Sequence, residues 1–413
     1  MYIRCLILCI TFVVATASKK RYDGNILVSV TPYEEKHFKV LSLLEDTNEI
    51  DIWNDIHRNS SVHVMFNNAT APWLMGLFSS LSMKPSIMHS NVQALLDQEE
   101  NEIQLRARSG APRGIHDAFL NYDEVTAWLK ELVGLYPNLC TLISIGKTYE
   151  NRDIWLIKCT GNNGATNKKN AMLDYGIHAR EWISPATGIY IINELVSKYA
   201  AGGDAKVMMD SWVFHVIPIL NPDGYAHSHA RERMWRKNRK LVSGTCYGVD
   251  LNRNFGYQWN TGGSSASACS DTFHGGSPMS ENEAKALQNY MTGKSWNTYL
   301  TFHSYGQWWF TNWGYTTANP PQYDELKQKA NIGANAIKAV YGRAYTVGSS
   351  AQILYVASGG SEDWTRGVLN ILYSYCIELP PTGGTGFIAP VSEILRTGLE
   401  TFAGIVAFLK ALP

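Results

Sequence analysis

The stretch Asn170-Ala-Met-Leu-Asp-Tyr-Gly-Ile-His178-Ala-Arg-Glu181-Trp-Ile183 organises the reading of this chain. Asn170 to Tyr175 is a short, mainly apolar run that predicts a strand, and Ile183 to Val196 predicts a helix. His178 and Glu181 therefore sit where a strand gives way to a helix. A histidine nitrogen and a carboxylate oxygen at that spacing suit one metal ion, and zinc accepts both donors. His-x-x-Glu alone is a weak signal, because acidic side chains also favour the start of a helix through its dipole. The rest of the chain must supply the remaining ligand and the catalytic groups.

Around this stretch, strands and helices alternate from about residue 114 to 413. Asp123 to Leu135 reads as an amphipathic helix. Thr141 to Ile145 and Ile154 to Cys159 read as strands joined by the turn Tyr149-Glu-Asn-Arg152. Val213 to Leu220, Tyr299 to Phe302 and Ile371 to Ile377 are apolar runs of the kind found in strands covered on both faces. Helices are predicted over Glu281 to Met291, Gln322 to Val340 and Ser392 to Lys410, the first opened by a capping box at Ser280-Glu-Asn-Glu283. The expected architecture is α/β, a mixed and mostly parallel sheet between helices. In such sheets ligands gather beyond the carboxyl ends of the strands.

The polar groups at those ends carry the chemistry. His303-Ser304-Tyr305 follows one buried strand, and His303 is the candidate third ligand beside His178 and Glu181. Glu378 ends another; a carboxylate there is costly without a partner or a task. Asp250-Leu-Asn252-Arg253 offers an amide beside a planar guanidinium, a good pair for a carboxylate. Arg236 lies in a basic cluster that can lend a cation to an anion. Leu354-Tyr355-Val-Ala-Ser-Gly-Gly360-Ser-Glu362-Asp is a glycine-containing loop with a tyrosine and acids.

The N-terminal part reads differently. Residues 1–17 resemble a secretory signal, with Arg4, an apolar stretch from Cys5 to Val14, and Ala15-Thr-Ala17 as the cleavage site. Residues 18–108 predict a small domain of order βαββαβ: strands at Asn25 to Val30, Ile50 to Trp53, Val62 to Phe66 and Ser86 to His89, helices at Glu34 to Leu44 and Pro72 to Met83. That order is a ferredoxin-like plait. A polar helix from Asn91 to Arg106, with little to bury, is expected to connect the domains. It runs into a Gly/Pro/Ser loop carrying Arg106, Arg108 and Arg113, an accessible target for a trypsin-like protease. Asn59-Ser-Ser61 and Asn68-Ala-Thr70 are glycosylation sequons.

Bulk properties bound the function. The chain has 413 residues, room for more than one domain, and zero formal net charge, so nucleic acid is not an expected partner. The signal is too short to span a membrane and no other span is evident, so export as a soluble, extracellular protein is expected. Of seven cysteines, Cys5 and Cys9 leave with the signal. Cys246 and Cys269 bracket a Gly/Ser-rich loop and are expected to staple it. Cys140 and Cys159 fall diagonally across a predicted hairpin, and their pairing is left open.

His178-Ala-Arg-Glu181, Met-Trp-Arg236-Lys, Asp250-Leu-Asn-Arg253, His303-Ser-Tyr305, Tyr355 before Ala-Ser-Gly-Gly, and Glu378 fall in the order and approximate spacing of zinc metallocarboxypeptidases. The chain resembles the digestive A/B type, made as pro-enzymes, and is most similar to a carboxypeptidase B. The resemblance implies an α/β sandwich around an eight-stranded mixed sheet, from 109 to 413, behind an activation pro-domain. It implies one zinc ion held by His178, Glu181 and His303, with an open position for water. Glu378 would be the general base, Arg236 the oxyanion's partner, and Asp250 the carboxylate that orients a zinc-bound histidine. Asn252, Arg253 and Tyr355 would grip the substrate's terminal carboxylate, while Arg180, Ser304 and Tyr305 would line the outer cleft. In this family the residue after Ala-Ser-Gly-Gly-Ser lies at the base of the side-chain pocket. Here it is Glu362, which implies removal of C-terminal Lys or Arg, with Gly314 and Ser350 as small walls. Two alternatives stand beside it: a pairing of Glu362 with Arg366, which would leave a neutral, carboxypeptidase A-like pocket, and a non-catalytic peptide-binding protein on the same fold. The expected partners are peptide C-termini and a trypsin-like activating protease, and a monomer is expected.

Overall fold

The computed structural model describes residues 18–54, 60–108, 114–162, 164–380 and 385–413. The signal-like segment 1–17, Asn59 of the first sequon and Arg113 lie outside the described residues. β1 (Asn25–Val30) and β3 (Val62–Asn67) lie side by side and antiparallel, both largely buried. With β2 (Asp51–Ile52) and β4 (Ser86–His89) they form a four-stranded sheet in the order β2-β3-β1-β4. The helices α1 (Glu35–Asp46) and α2 (Ala71–Ser80) alternate with these strands in the expected order, and Leu41, Leu44, Leu74 and Phe78 bury their apolar stripes against Val28, Val30 and Val64. Asn68 lies exposed in the turn after β3.

The connecting helix departs from the expectation in two ways. α3 (Val92–Arg108) continues through Arg106 and Arg108 rather than releasing them into the loop. It also has much to bury. Val92 and Leu96 pack with Tyr22, Trp53, Met234, Tyr305 and Phe387, and Glu99 accepts two hydrogen bonds from Arg233, at 2.7 and 3.0 Å. Its polar composition conceals an ion pair whose partner is remote in sequence.

The larger part of the chain forms α4 (Tyr122–Leu135), β5 (Cys140–Lys147), β6 (Asp153–Cys159), β7 (Lys169–Tyr175), α5 (Ile183–Ser197), α6 (Gly203–Ser211), β8 (Trp212–Ile217), α7 (Pro222–Ala230), β9 (Leu241–Ser243), β10 (Cys246–Tyr247), α8 (Asn282–Met291), β11 (Thr298–Ser304), β12 (Trp308–Thr311), α9 (Tyr323–Tyr341), β13 (Thr346–Ser349), α10 (Ser350–Ile353), α11 (Ser361–Gly367), β14 (Tyr373–Leu379) and α12 (Ser392–Ala411). An eight-stranded mixed sheet runs β13-β12-β14-β11-β7-β8-β6-β5. Its centre, β14-β11-β7-β8, is parallel, and antiparallel pairs join it to both flanks.

Strand alternation separates two cores. Leu173, Tyr175, Leu300, Phe302, Tyr375 and Ile377 face α5, α9 and α12; Met172 and Tyr299 face α8, Phe255 and Trp364. The run Val213 to Leu220 ends as a strand at Ile217, because Pro218 has no N–H to give to the ladder, although Ile219 and Leu220 stay buried. Ser280 is not the helix cap. Glu281 takes that position, and its carboxylate accepts from Asn238 and Lys240 instead of capping α8.

Both disulfides close. Cys246 pairs with Cys269 as expected. Cys140 pairs with Cys159 because an irregularity between Ser144 and Lys147 shifts the hairpin and sets the two cysteines directly opposite, not diagonally.

Candidate active site

The cleft opens beyond the carboxyl ends of β7, β11 and β14. Gly176 leaves β7 at φ 64°, and a Cβ there would stand 2.8 Å from Pro185 Cγ, so the turn requires glycine. Gly176 N–H donates to Ser184 Oγ at 3.1 Å, and that hydroxyl donates to the Phe302 carbonyl at 2.6 Å, tying the turn to β11. The turn brings His178 and Glu181 beneath His303. Nδ1 of His178 lies 2.7 Å from Glu181 Oε1 and 3.1 Å from Nδ1 of His303, which lies 3.5 Å from Glu181 Oε2. Two imidazole nitrogens and a carboxylate thus converge, all within 4.8 Å of one another and all buried. Burial lowers the His303 pKa against the upward pull of Glu181, favouring the neutral ring that binds a metal. This donor set fits zinc.

Each ring is anchored from behind. His178 Nε2 donates to Asp250 Oδ1 at 3.1 Å, and Asp250 Oδ2 accepts from Arg236 Nε and Nη2 at 3.2 and 3.0 Å. Burial alone would raise the Asp250 pKa, but Arg236, His178 and Arg253 hold it well below the usual carboxylate range. His303 Nε2 lies 3.3 Å from Thr301 Oγ1, whose hydroxyl donates to Asp174 Oδ1 at 2.8 Å. Burial pushes Asp174, at the heart of the sheet, up to about 7. Thr301 and Asp174 were not singled out in the sequence, since only the β7–β11 register makes them neighbours.

Glu378 stands directly opposite His303 in the β11–β14 register and lines the same cavity of about 80 Å3. Arg236, Asn252, Arg253, Ser304 and Tyr305 also line it. Asn252 Oδ1 accepts from Ser361 N–H at 3.0 Å, and Arg253 Nη2 donates to Tyr355 OH at 2.8 Å. Asn252, Arg253 and Tyr355 therefore lie together on one side of the cavity.

Gly314, Ser350 and Glu362 share that cavity with Phe310 and Cys376. Glu362 is 7% exposed, and its Oε2 has no hydrogen-bond partner. It folds over Gly360, where a Cβ would lie 2.7 Å from Oε2. Burial, then the neighbouring Asp363, pushes the Glu362 carboxyl up to about 8. Arg366 is not its partner: that guanidinium donates to Gln322 and the Pro321 carbonyl.

The N-terminal domain closes the cleft. Glu45, Ile52, Trp53 and Asn54 line the cavity from above. Arg180 donates through Nη1 to Asp51 at 2.8 Å and through Nη2 to the Ile52 carbonyl at 2.8 Å, and Asp271 lies 3.4 Å from Nη1. Tyr305 OH lies 2.8 Å from His63 Nδ1. Arg180 and Tyr305, expected at the outer cleft, are thus engaged by Asp51, Ile52 and His63 of the N-terminal domain, with Asp271 of the larger part also beside Arg180; none of these contacts has a signal in the sequence.

Comparison with known proteins agrees with this arrangement. Residues 125–404 match the zinc carboxypeptidase family and residues 28–99 match the carboxypeptidase activation peptide. Carboxypeptidase B of Astacus astacus is 40% identical over 292 residues, covering 70% of this chain and 95% of that protein. Carboxypeptidase A1 of Bos taurus is 33% identical over 406 residues, covering 96% of each chain. The crystal structure of carboxypeptidase A from Helicoverpa armigera superposes with a TM-score of 0.85 at 29% identity, covering 94% of this chain and 98% of that one.

Proposed function

Because the chain belongs to the zinc carboxypeptidase family and carries that family's activation peptide, we propose that it is a secreted zymogen whose activated form removes C-terminal lysine and arginine from peptides. The observation that carries the specificity is Glu362. It is a buried acid with an unpartnered oxygen in the wall of the cleft, and the one helical cation that could neutralise it, Arg366, is engaged elsewhere. A buried carboxylate of this kind is strongly disfavoured unless a cation joins it. The ammonium or guanidinium of a substrate side chain supplies that cation. Gly314 and Ser350 leave room for a long chain to reach it. The relatives include carboxypeptidases of both A and B types, so the reading rests on Glu362 and not on them.

The chemistry follows from the residues around the ligands. His178, Glu181 and His303 would hold the zinc, which would supply Lewis acidity to the scissile carbonyl and to a water molecule. Glu378 takes the proton of the attacking water and passes it to the leaving amine as the C–N bond breaks. Arg236, fixed by Asp250, faces the negative charge that develops on the carbonyl oxygen. Asn252, Arg253 and Tyr355 bind the terminal carboxylate, which restricts the enzyme to chain ends. Arg180, Ser304 and Tyr305 line the approach once the activation domain has left. A trypsin-like protease cutting at Arg106, Arg108 or Arg113 is the proposed activator of a monomeric enzyme.

The test is Glu362→Ile. Hydrolysis of substrates ending in Lys or Arg falls by about 100-fold or more, as removal of one partner of a buried ion pair implies, while apolar ends gain. Unchanged preference in that variant removes Glu362 from specificity.

A further inference from the structure

Cys376 takes part in neither disulfide. On β14 it lies two residues before Glu378, and side chains two apart on a strand share a face. Tyr375 and Ile377 point into the apolar core, so Ser374, Cys376 and Glu378 form a row on the cleft side. Ser374 Oγ donates to the Glu362 carbonyl at 2.8 Å, which seats α11 against this row. Cys376, 6% exposed, and the unpartnered carboxyl of Glu362 line one cavity, with Phe310 across the sheet from the thiol. A sulfur nucleophile and a buried acid that a cation would ionise therefore share the side-chain pocket.

We propose that this pocket is a thiol-modification site selective for small cationic disulfides. The inference rests on the reading of Glu362 as the acid that receives a basic side chain. An aminothiol disulfide enters as a lysine mimic, its ammonium on Glu362. The Cys376 thiolate attacks the near sulfur, a new S–S bond forms, and the old one breaks. The distal half leaves as a thiolate, which takes up the proton that Cys376 gave up. The tethered amine then occupies the place of the substrate side chain. Basic substrates are excluded, while zinc and its ligands are untouched.

The experiment compares cystamine with the neutral 2-hydroxyethyl disulfide and the anionic 3,3′-dithiodipropionate on the activated enzyme and on the uncut chain. Adducts are located by peptide mass mapping, and zinc content is measured in parallel. Cystamine is expected to modify Cys376 about tenfold faster than the anionic reagent, the order of gain given by a fixed charge in a cleft. Modified enzyme loses Lys and Arg hydrolysis and keeps its zinc. Free lysine slows the modification, and the uncut chain, with Trp53 and Asn54 over the cavity, reacts more slowly. Glu362→Gln still carries the adduct but loses the preference for cystamine, and Cys376→Ser carries none. An enzyme that prefers Lys and Arg ends yet leaves Cys376 unmodified overturns the proposal while the reading of Glu362 stands. Modification at equal rates by all three reagents, in an enzyme that prefers apolar ends, overturns the cation selectivity and that reading together.

Discussion

Glu362 and Asp363 are adjacent buried acids with opposite fates. Asp363 accepts hydrogen bonds from Asn312 Nδ2 at 3.2 Å and from the backbone of Gly314 and Tyr315 at 2.9 and 3.0 Å, so it serves the loop. Glu362 has no such set, and burial, with Asp363 beside it, pushes its carboxyl from the ordinary 4.5 up to about 8. A raised folded-state pKa means the fold holds the proton more tightly than the unfolded chain does. Its stabilising contribution is full below about 4.5 and is lost as pH rises towards about 8. Denaturation midpoints of the parent should therefore fall relative to Glu362→Gln across that window, and a constant difference would contradict the assignment. The same ionisation should appear in kcat/KM. For substrates ending in Lys it rises with pH through an ionisation above the usual carboxylate range, because only the ionised acid attracts the cation. Substrates ending in Phe lack that step. At the chemical centre, Glu378→Gln should retain zinc but lose hydrolysis by about a hundredfold or more, since positioned proton transfer contributes about 10² to 10⁴. His303→Ala should lose the metal itself, measured as zinc per chain after dialysis.

The elements divide by how local their signals are. The strands β7, β11 and β14 were legible as apolar runs, and their polar ends, His178, Glu181, His303 and Glu378, as candidate ligands and base. β12 and β13 were not legible: Trp308–Thr311 and Thr346–Ser349 are too short for a period to show, and pairing alone makes them strands. The Asp174–Thr301–His303 chain escaped for a related reason, because it depends on lateral register and not on spacing along the chain. Cys376 was within reach, since the two-residue strand period sets it beside Glu378. The polar composition of α3 hides its burial, because Glu99 reads as solvent-facing until Arg233 is placed against it. The two-residue strand β2 has the sharpest consequence. It carries Asp51 onto the buried Arg180, whose charge also faces Asp271. Asp51→Ala should loosen the activation domain and raise the activity of the uncut chain on short substrates by about tenfold, a conservative share of the roughly 3–5 kcal/mol that breaking a buried pair costs. No gain in the uncut variant would remove this contact from the latch.

At the scale of the molecule, a four-stranded activation domain lies over the carboxyl edge of an eight-stranded sheet and closes the cleft with Glu45, Ile52, Trp53 and Asn54. The interface engages Arg180 and Tyr305, two side chains proposed to line the substrate's approach, so under that proposal docking and substrate binding compete for the same atoms. None of the described helices is long and apolar enough to cross a membrane. Limited trypsin treatment should separate the two parts and expose an N-terminus at or near Ala107, Ser109 or Gly114, read by N-terminal sequencing. Full activity of the uncut chain on large peptides would contradict this order of events. The most direct measurement is the kcat/KM of the trypsin-activated protein on short peptides that differ only in a C-terminal Lys, Arg, Phe, Leu or Glu, with and without a zinc chelator. Lys and Arg should be released far faster than the others, and the chelator should abolish all release. Faster release of Phe or Leu, or release that persists without zinc, would contradict the proposed function.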